Sequence, residues 1–357
     1  MIYALSPDEY DKVRPLAATL GEHLAVRGQV HVDDRRRPTA AFLGHGYRFY
    51  LAGAPHNEAF HDGVRRLFTE RIYPQALAGD RERPMFTLAY APGWGEIIPA
   101  ILQGKHPISD QRQYYLFQQL KNDWRSLLPP GFQLRAADRQ LLAEEQLANL
   151  DGLQAEMCSE RESVEDFLQH SLGCCLVHGE ALVSWALSEY NSPAGCDIGL
   201  ETQEPYRRQG LATIVASATV EQALRQGIPR IGWDCWASNT ASQATARKVG
   251  FEKAQDYPVY FAWFDETDNL AVNGNVRLRS QDCQGAIPWF ERALRSGQAK
   301  AWVYLRAACA YALAGRPDDA MDTLRRGVAR GLSRDWIRGA EELQSLHDLE
   351  GWTELIS

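Results

Sequence analysis

Between Pro205 and Gly227 the chain reads PYRRQGLATIVASATVEQALRQG: two arginines and a glutamine run into one glycine, and helix formers follow without a break. This is the stretch that most narrows what the chain can fold into. It predicts a helix from Leu211 to about Gln226, stopped by Gly227 ahead of Pro229. The mouth of such a helix leaves several backbone N–H groups unpaired, and the helix dipole adds positive partial charge there. Gly210 allows close approach of the backbone to a ligand, and Ala212 stays small for the same reason. Arg207 and Arg208 add charge-assisted donors. Together these make a pyrophosphate cradle. Read in isolation, the six residues fit a plain helix start with two solvated arginines better.

The surroundings are those of an α/β unit. FQLRAAD reads as a strand feeding a helix, VEDFLQH as a second helix, and CCLVHGEALVSWALSEYN as two β-rich runs meeting in a tight hairpin at His178-Gly179. CDIGLET, from Cys196 to Thr202, is a third strand, immediately ahead of the cradle. RIGWDCW is a strand, TASQATARKVG a helix ending at Gly250, and VYFAWF a closing strand. Upstream, Ala40 to Gly53 suggests a hairpin broken at Gly44 and Gly46, NEAFHDGVRRLFTERIYPQAL has helical apolar spacing, and MFTLAYAP is another strand. Pro129-Pro130-Gly131 marks a boundary. The expected division is 1–130, an α/β domain with no catalytic constellation; 131–265, the cradle-bearing domain; and 266–357, an all-α tail.

In that tail Ala286, Phe290, Ala293 and Gly297 recur 34 positions later as Ala320, Leu324, Gly327 and Gly331. Small residues at such a period let helices approach while large ones fill the groove between them. Tyr304, Ala308, Tyr311 and Gly315 fall where the first helix of such a unit packs. The pattern resembles tetratricopeptide repeats, with a weaker first helix near Leu270 to Leu278; a plain helical hairpin is the simpler alternative.

Composition excludes several classes. The chain is 45% hydrophobic and 24% charged, with no apolar run near membrane-spanning length. The start, MIYALSPDEYDKVRP, lacks the basic and apolar regions of a signal peptide, so the expected compartment is the cytoplasm. Seven cysteines without a C-x-x-C pair point to free thiols, not to disulfides or zinc. HNEAFH spaces its histidines five apart, where a zinc-protease helix needs four; it reads as a solvated helix, and CCLVH as a half-buried strand, so no metal is expected. A formal charge of −8 argues against nucleic acid as a partner.

Arg207-Arg208-Gln209-Gly210-Leu211-Ala212 matches a Q/R-x-x-G-x-G/A loop. With DIGLETQEPYRRQGLA ahead of it and NTASQATARKVGF (Asn239 to Phe251) behind, it resembles the GCN5-related N-acetyltransferases over about Phe132 to Phe264. The first third, RGQVHVDD…PTAAFLGHGYRFYLAG, is similar to the leading domain of a bacterial two-part subgroup, and reads as a worn half of the same kind. The resemblance implies a mixed α+β fold with a splayed central sheet. Acetyl-coenzyme A would be the cosubstrate, its pantetheine arm lying between the fourth and fifth strands. Leu200, Glu201 and Thr202 would bond that arm. Arg207, Arg208, Gln209, Gly210, Leu211, Ala212 and Thr213 would wrap the pyrophosphate, and Asn239 would reach toward the thioester.

The implied reaction is direct attack by an amine, of a small molecule or a peptide. A lysine-type amine titrates near ~10.4, so a base or a desolvating pocket must remove its proton. Asp197 and Glu201, on one face of the fourth strand, and Glu189, at the end of the third, are the candidates; each reads equally as a solvent-facing strand acid. Many family members carry a tyrosine acid seven residues after the asparagine. Here that position is Ala246, which leaves Tyr257, Tyr260, Cys235 or water. Its loss admits a second reading, an acyl-coenzyme A-binding sensor of weak activity with the repeats as output surface. A protein partner on the repeats and a homo-oligomer are further expectations; a membrane is not.

Overall fold

The computed structural model describes residues 2–20, 28–79 and 84–357; Arg27, the first residue of the leading motif, lies outside them. The first 130 residues contribute β1 (Tyr3–Leu5), β2 (Gln29–Val32), β3 (Ala40–His45), β4 (Arg48–Gly53), β5 (Met85–Tyr90) and β6 (Ile108–Phe117). The following segment contributes β7 (Phe132–Ala136), β8 (Gly173–His178), β9 (Ala181–Ser192), β10 (Gly195–Thr202), β11 (Ile231–Trp236) and β12 (Phe251–Trp263). All twelve form one sheet, ordered β1-β2-β3-β4-β5-β12-β6-β11-β10-β9-β8-β7.

The expected hairpins form for a local reason. His45 pairs with Arg48, and His178 with Ala181, so each turn has two residues, the first of them a glycine (Gly46, φ 57°; Gly179, φ 59°). A turn of this kind needs positive φ at that position, which glycine adopts without strain, and its twist matches that of the strands.

The middle of the sheet crosses the boundary placed at Pro129. β12 pairs with β5 on one side and β6 on the other, and β6 pairs in turn with β11. Each half therefore supplies a strand that closes the other. The sequence reading passed over β6, because ISDQRQYYLF begins with a polar run. Its pairing to β11 and β12 is long-range and leaves no local mark.

Strand β9 shows how the layers build. Ala186 packs with Ile214, Val215 and Ala218 of the helix Leu211–Arg225, hereafter the cradle helix. Trp185 and Leu187 face the other way, onto Leu153 and Met157 of helix Leu150–Glu160 and Phe167 of helix Val164–His170. The alternation follows the two-residue period of a strand buried on both faces. In the first half, Phe42, Phe49 and Phe86 of the sheet form an aromatic core with Phe68 of the helical stretch that begins at Glu58.

From Glu266 onward the described structure is helical. Helices Glu266–Arg279, Cys283–Arg295, Ala301–Leu313 and Pro317–Val328 each pack on the next. Gly274 lies against the Phe290 ring, and a Cβ at Gly327 would come within 2.8 Å of Tyr304 Cβ, so both helix contacts require the absent side chain. Two nearly fully buried asparagines tie the first of these helices to the sheet. Asn269 accepts from the Trp263 N–H at 2.9 Å and donates to the Lys105 carbonyl, while Asn273 donates to the His106 carbonyl at 3.1 Å. Replacing Asn269 by leucine strands the Trp263 and Lys105 groups, at about 1–3 kcal/mol for each one left buried. Urea unfolding should show that loss; a variant as stable as the parent would mean that other contacts hold the tail.

Candidate functional site

Strands β10 and β11 run parallel but pair only at Cys196–Ile231 and Asp197–Gly232. Beyond those two pairs the strands part. Cys196 donates to the Arg230 carbonyl at 3.0 Å, so by strand alternation the N–H groups of Ile198, Leu200 and Thr202 also face the β11 side. β10 thus offers an open backbone edge to a second extended chain, as in β-strand addition.

The outer part of the opening is a cavity of about 530 Å³. Its walls include Leu200, Glu201, Thr202, Arg207, Arg208, Gly210, Leu211, Ala212, Thr213 and Asn239, so ten of the eleven residues expected around the cofactor meet there. The eleventh, Gln209, donates to the Pro205 carbonyl at 3.2 Å and braces the loop. Arg207 Nε donates to the Thr202 carbonyl at 3.0 Å, pinning the loop to the end of β10. Arg208 has φ 62° and Gly210 φ 82°. The cradle helix makes its first internal bonds from Thr213 and Ile214 to the Gly210 carbonyl, so the amides before Thr213 lie at its open mouth. A Cβ at Gly210 would meet nothing within 4 Å. An arginine held left-handed, an open space at the glycine and amides turned outward fit a bound diphosphate.

An inner cavity of about 220 Å³ continues between the strands, lined among others by Asp197, Glu189, Arg112, Asp234, Cys235 and Trp236. Leu200, Asn239 and Ser242 line both compartments and mark their junction. Asn239 also caps helix Thr240–Val249, its Oδ1 accepting from Ser242 N at 3.0 Å, a duty the sequence reading did not assign it. A third, smaller cavity of about 50 Å³ shares Arg48, Tyr190, Asp197 and Asp234 with the inner one and adds His45, Tyr50 and Tyr257.

The expected catalytic residues separate. Asp197 and Glu189 line the inner cavity, whereas Glu201 is exposed and lines only the outer one. Asp197 accepts from the Tyr114 hydroxyl at 2.9 Å. Burial, and then the negative Asp234, push its pKa up to about 6 against the opposing bond from Tyr114. Tyr257 lines the small cavity and donates to Asp234 Oδ2; burial and Asp234 hold its proton firmly. Asp234 also takes a 2.9 Å bond from Arg112, whose guanidinium lies 4.8 Å from the Trp236 ring centre. Arg48, from the first half, reaches within 3.8 Å of Glu189.

Tyr114, Arg112 and Arg48 escaped the sequence reading because they stand on strands of the first 130 residues. Gly232 escaped it too, although it makes the inner site possible. A Cβ there would sit 2.0 Å from the Tyr114 hydroxyl and 2.1 Å from Asp197 Oδ1.

The sheet is open between two parallel strands, with a glycine-led helix mouth at one end and a desolvated carboxyl at the other. The chain belongs to the GNAT acetyltransferase family, whose sequence pattern matches residues 14–260. It is 27% identical over 240 residues to the uncharacterized N-acetyltransferase YdfB of Bacillus subtilis (strain 168), covering 66% of this chain and 86% of that protein. Among solved structures, a GCN5-related N-acetyltransferase-like protein from Streptococcus suis 89/1591 superposes with TM-score 0.53 at 24% identity, over 71% of this chain and 99% of that one. A GCN5-related N-acetyltransferase from Sphaerobacter thermophilus gives 0.48 at 15% identity, over 74% and 95%. The family match and the Bacillus subtilis relative support acyltransferase activity. The matched span includes both halves of the sheet and ends before the helical tail.

Two outcomes test the inner site. Gly232→Ala should destabilise the fold by about 1–3 kcal/mol in chemical denaturation, because the methyl forces Tyr114 and Asp197 apart. Asp197 keeps a proton in the folded state up to about pH 6, while an unfolded aspartate gives it up near pH ~3.9. The native state therefore binds the extra proton, and stability falls as pH rises through that window. Asp197→Asn should remove this decline, so its melting temperature should gain on the parent between pH 4 and pH 7 (about the two ends of that window); parallel profiles would show an unperturbed carboxyl.

Proposed function

We propose that this protein transfers an acetyl group from acetyl-coenzyme A to an amine. The observation that carries the reading is the continuous opening from the Arg208–Gly210 loop to Asp197, with Leu200, Asn239 and Ser242 at its waist. The thioester supplies the activated acyl group. Amides from Arg208 to Ala212 hold the diphosphate, and the β11-facing N–H groups of β10 take the pantetheine arm as an added strand. An N–H near Leu200 polarises the thioester carbonyl and stabilises the developing oxyanion.

Asp197 acts as the base. It lies beyond the waist, where an attacking amine would stand, and a pKa near 6 leaves it mostly ionised at neutral pH yet more basic than an ordinary carboxylate. Glu189 shares the inner cavity and helps draw a cationic amine into it. Glu201 lies along the donor arm, away from the attack. The acceptor reaches Asp197 through the small cavity bordered by His45, Arg48 and Tyr50, so the first half shapes acceptor choice. The helical tail, read as tetratricopeptide-like, offers a surface to a protein partner, and the protein works in the cytoplasm.

One observation favours the sensor reading: Ala246 is fully buried in the core, so no side chain at the usual tyrosine position enters the opening. Thiol release from acetyl-coenzyme A over a panel of amines separates the two; binding without release for every amine would leave the sensor. Coenzyme A at a hundred times its dissociation constant should stabilise the parent by about 2.7 kcal/mol. Gly210→Val, strained at φ 82° and placing a branched side chain in the outer cavity, should lose most of that shift. A shift that survives would move the cofactor elsewhere.

A further inference from the structure

The reaction leaves a thiolate at the waist of the opening, and none of the side chains expected from the sequence to receive it is placed to do so. Tyr257 donates to Asp234 and faces the small cavity. Tyr260 stacks on Tyr90, ring centres 5.5 Å apart, and donates to the Gly95 carbonyl at 3.3 Å. Cys235 lines the inner cavity and not the outer one, so it is not at their junction. Ala246 points into the core. Thr245, on the same helix, gives its hydroxyl to the Ala241 carbonyl at 3.0 Å.

Ser242 is different. Of the three residues shared by both compartments it alone carries a hydroxyl. Its N–H is fixed by Asn239 Oδ1, and its oxygen accepts from the Trp233 indole N–H at 3.0 Å. The indole occupies a lone pair and leaves the hydroxyl proton to be donated. Among the described residues the Cys235 thiol is the one neighbouring group that draws on that hydroxyl, so a thiolate at the waist competes with it for the proton.

We infer that Ser242 is the hydrogen-bond donor to the leaving thiolate, taking the place of the absent tyrosine. This rests on the acetyl-transfer reading above. The amine lone pair forms the N–C bond, and the C–S bond breaks with its electron pair going to sulfur. The proton shed by nitrogen passes to Asp197. Ser242 keeps its own proton, bonding the thiolate until water protonates it. A serine hydroxyl is too weak an acid for full transfer, so its contribution is to lower the basicity of the sulfur it touches.

Free coenzyme A is the probe, since it needs no acceptor. Its thiol, titrated by thiolate absorbance while bound to the full chain, should be more acidic than in solution. Ser242→Ala should raise it by about one to two pH units, the range of a hydrogen bond to a charged group. Ser242→Thr, which keeps the hydroxyl, should restore most of the effect. Binding of the protonated thiol at low pH should be equal in parent and alanine variant, which a general disturbance of the site would not leave unchanged. With an active acceptor, kcat should fall roughly 10- to 100-fold in Ser242→Ala with little change in KM. A bound thiol with the same pKa in parent and Ser242→Ala would overturn the inference while leaving the acetyltransferase reading intact. A parent that binds no coenzyme A would overturn both.

Discussion

The structure turns on a parallel ladder that stops after two residue pairs. Had β10 and β11 stayed paired to their ends, Leu200 and Thr202 would spend their N–H groups on a neighbouring strand and the sheet would have no interior opening. Gly232 makes room for the Tyr114–Asp197 pair at the last point of contact, and the side chains of Trp233 and Cys235 pack with the core while the strand diverges. A sheet interrupted in this way exposes backbone donors in a sheltered place, which is expensive for a protein unless a ligand uses them.

The second dependence is between the halves. Because β6 and β12 close each other's sheets, residues from the first 130 positions stand at the inner end of the opening: Tyr114 on Asp197, Arg112 on Asp234, Arg48 beside Glu189. The first half lacks a cradle sequence of its own, yet it sets the electrostatics of the carboxyl in the second. Asp197 is desolvated by that packing and pressed by Asp234, and the Tyr114 bond only partly offsets both. Substitutions in the leading half therefore reach Asp197 without touching the outer cavity.

Local patterns were a good guide to one side of the site and a poor one to the other. The cradle lies in a single loop and helix start, where glycine, arginine and capping chemistry act over a few residues, so the stretch from Leu200 to Thr213 was legible before any fold was known. Asn239 was picked out by the family resemblance, and only the structure showed that it also caps a helix. The inner end is built by strands far apart in the chain. Nothing in ISDQRQYYLF announces that Tyr114 will meet a carboxyl 83 positions away. Glu201 and Asp197 looked equivalent by strand alternation, and only the depth of the opening distinguishes them.

The sequence by itself determined most of the element types, the tight glycine turns, the helical character of the tail and the open helix mouth at Gly210, because each depends on residues within one or two turns of each other. Tertiary structure alone decided that the twelve strands form one sheet, that the two halves exchange closing strands, which carboxyl is desolvated, and that Ser242 stands at the waist. Those features come from pairing and burial between distant segments, where the energy of a side chain is set by its neighbours in space and not by its neighbours in the chain.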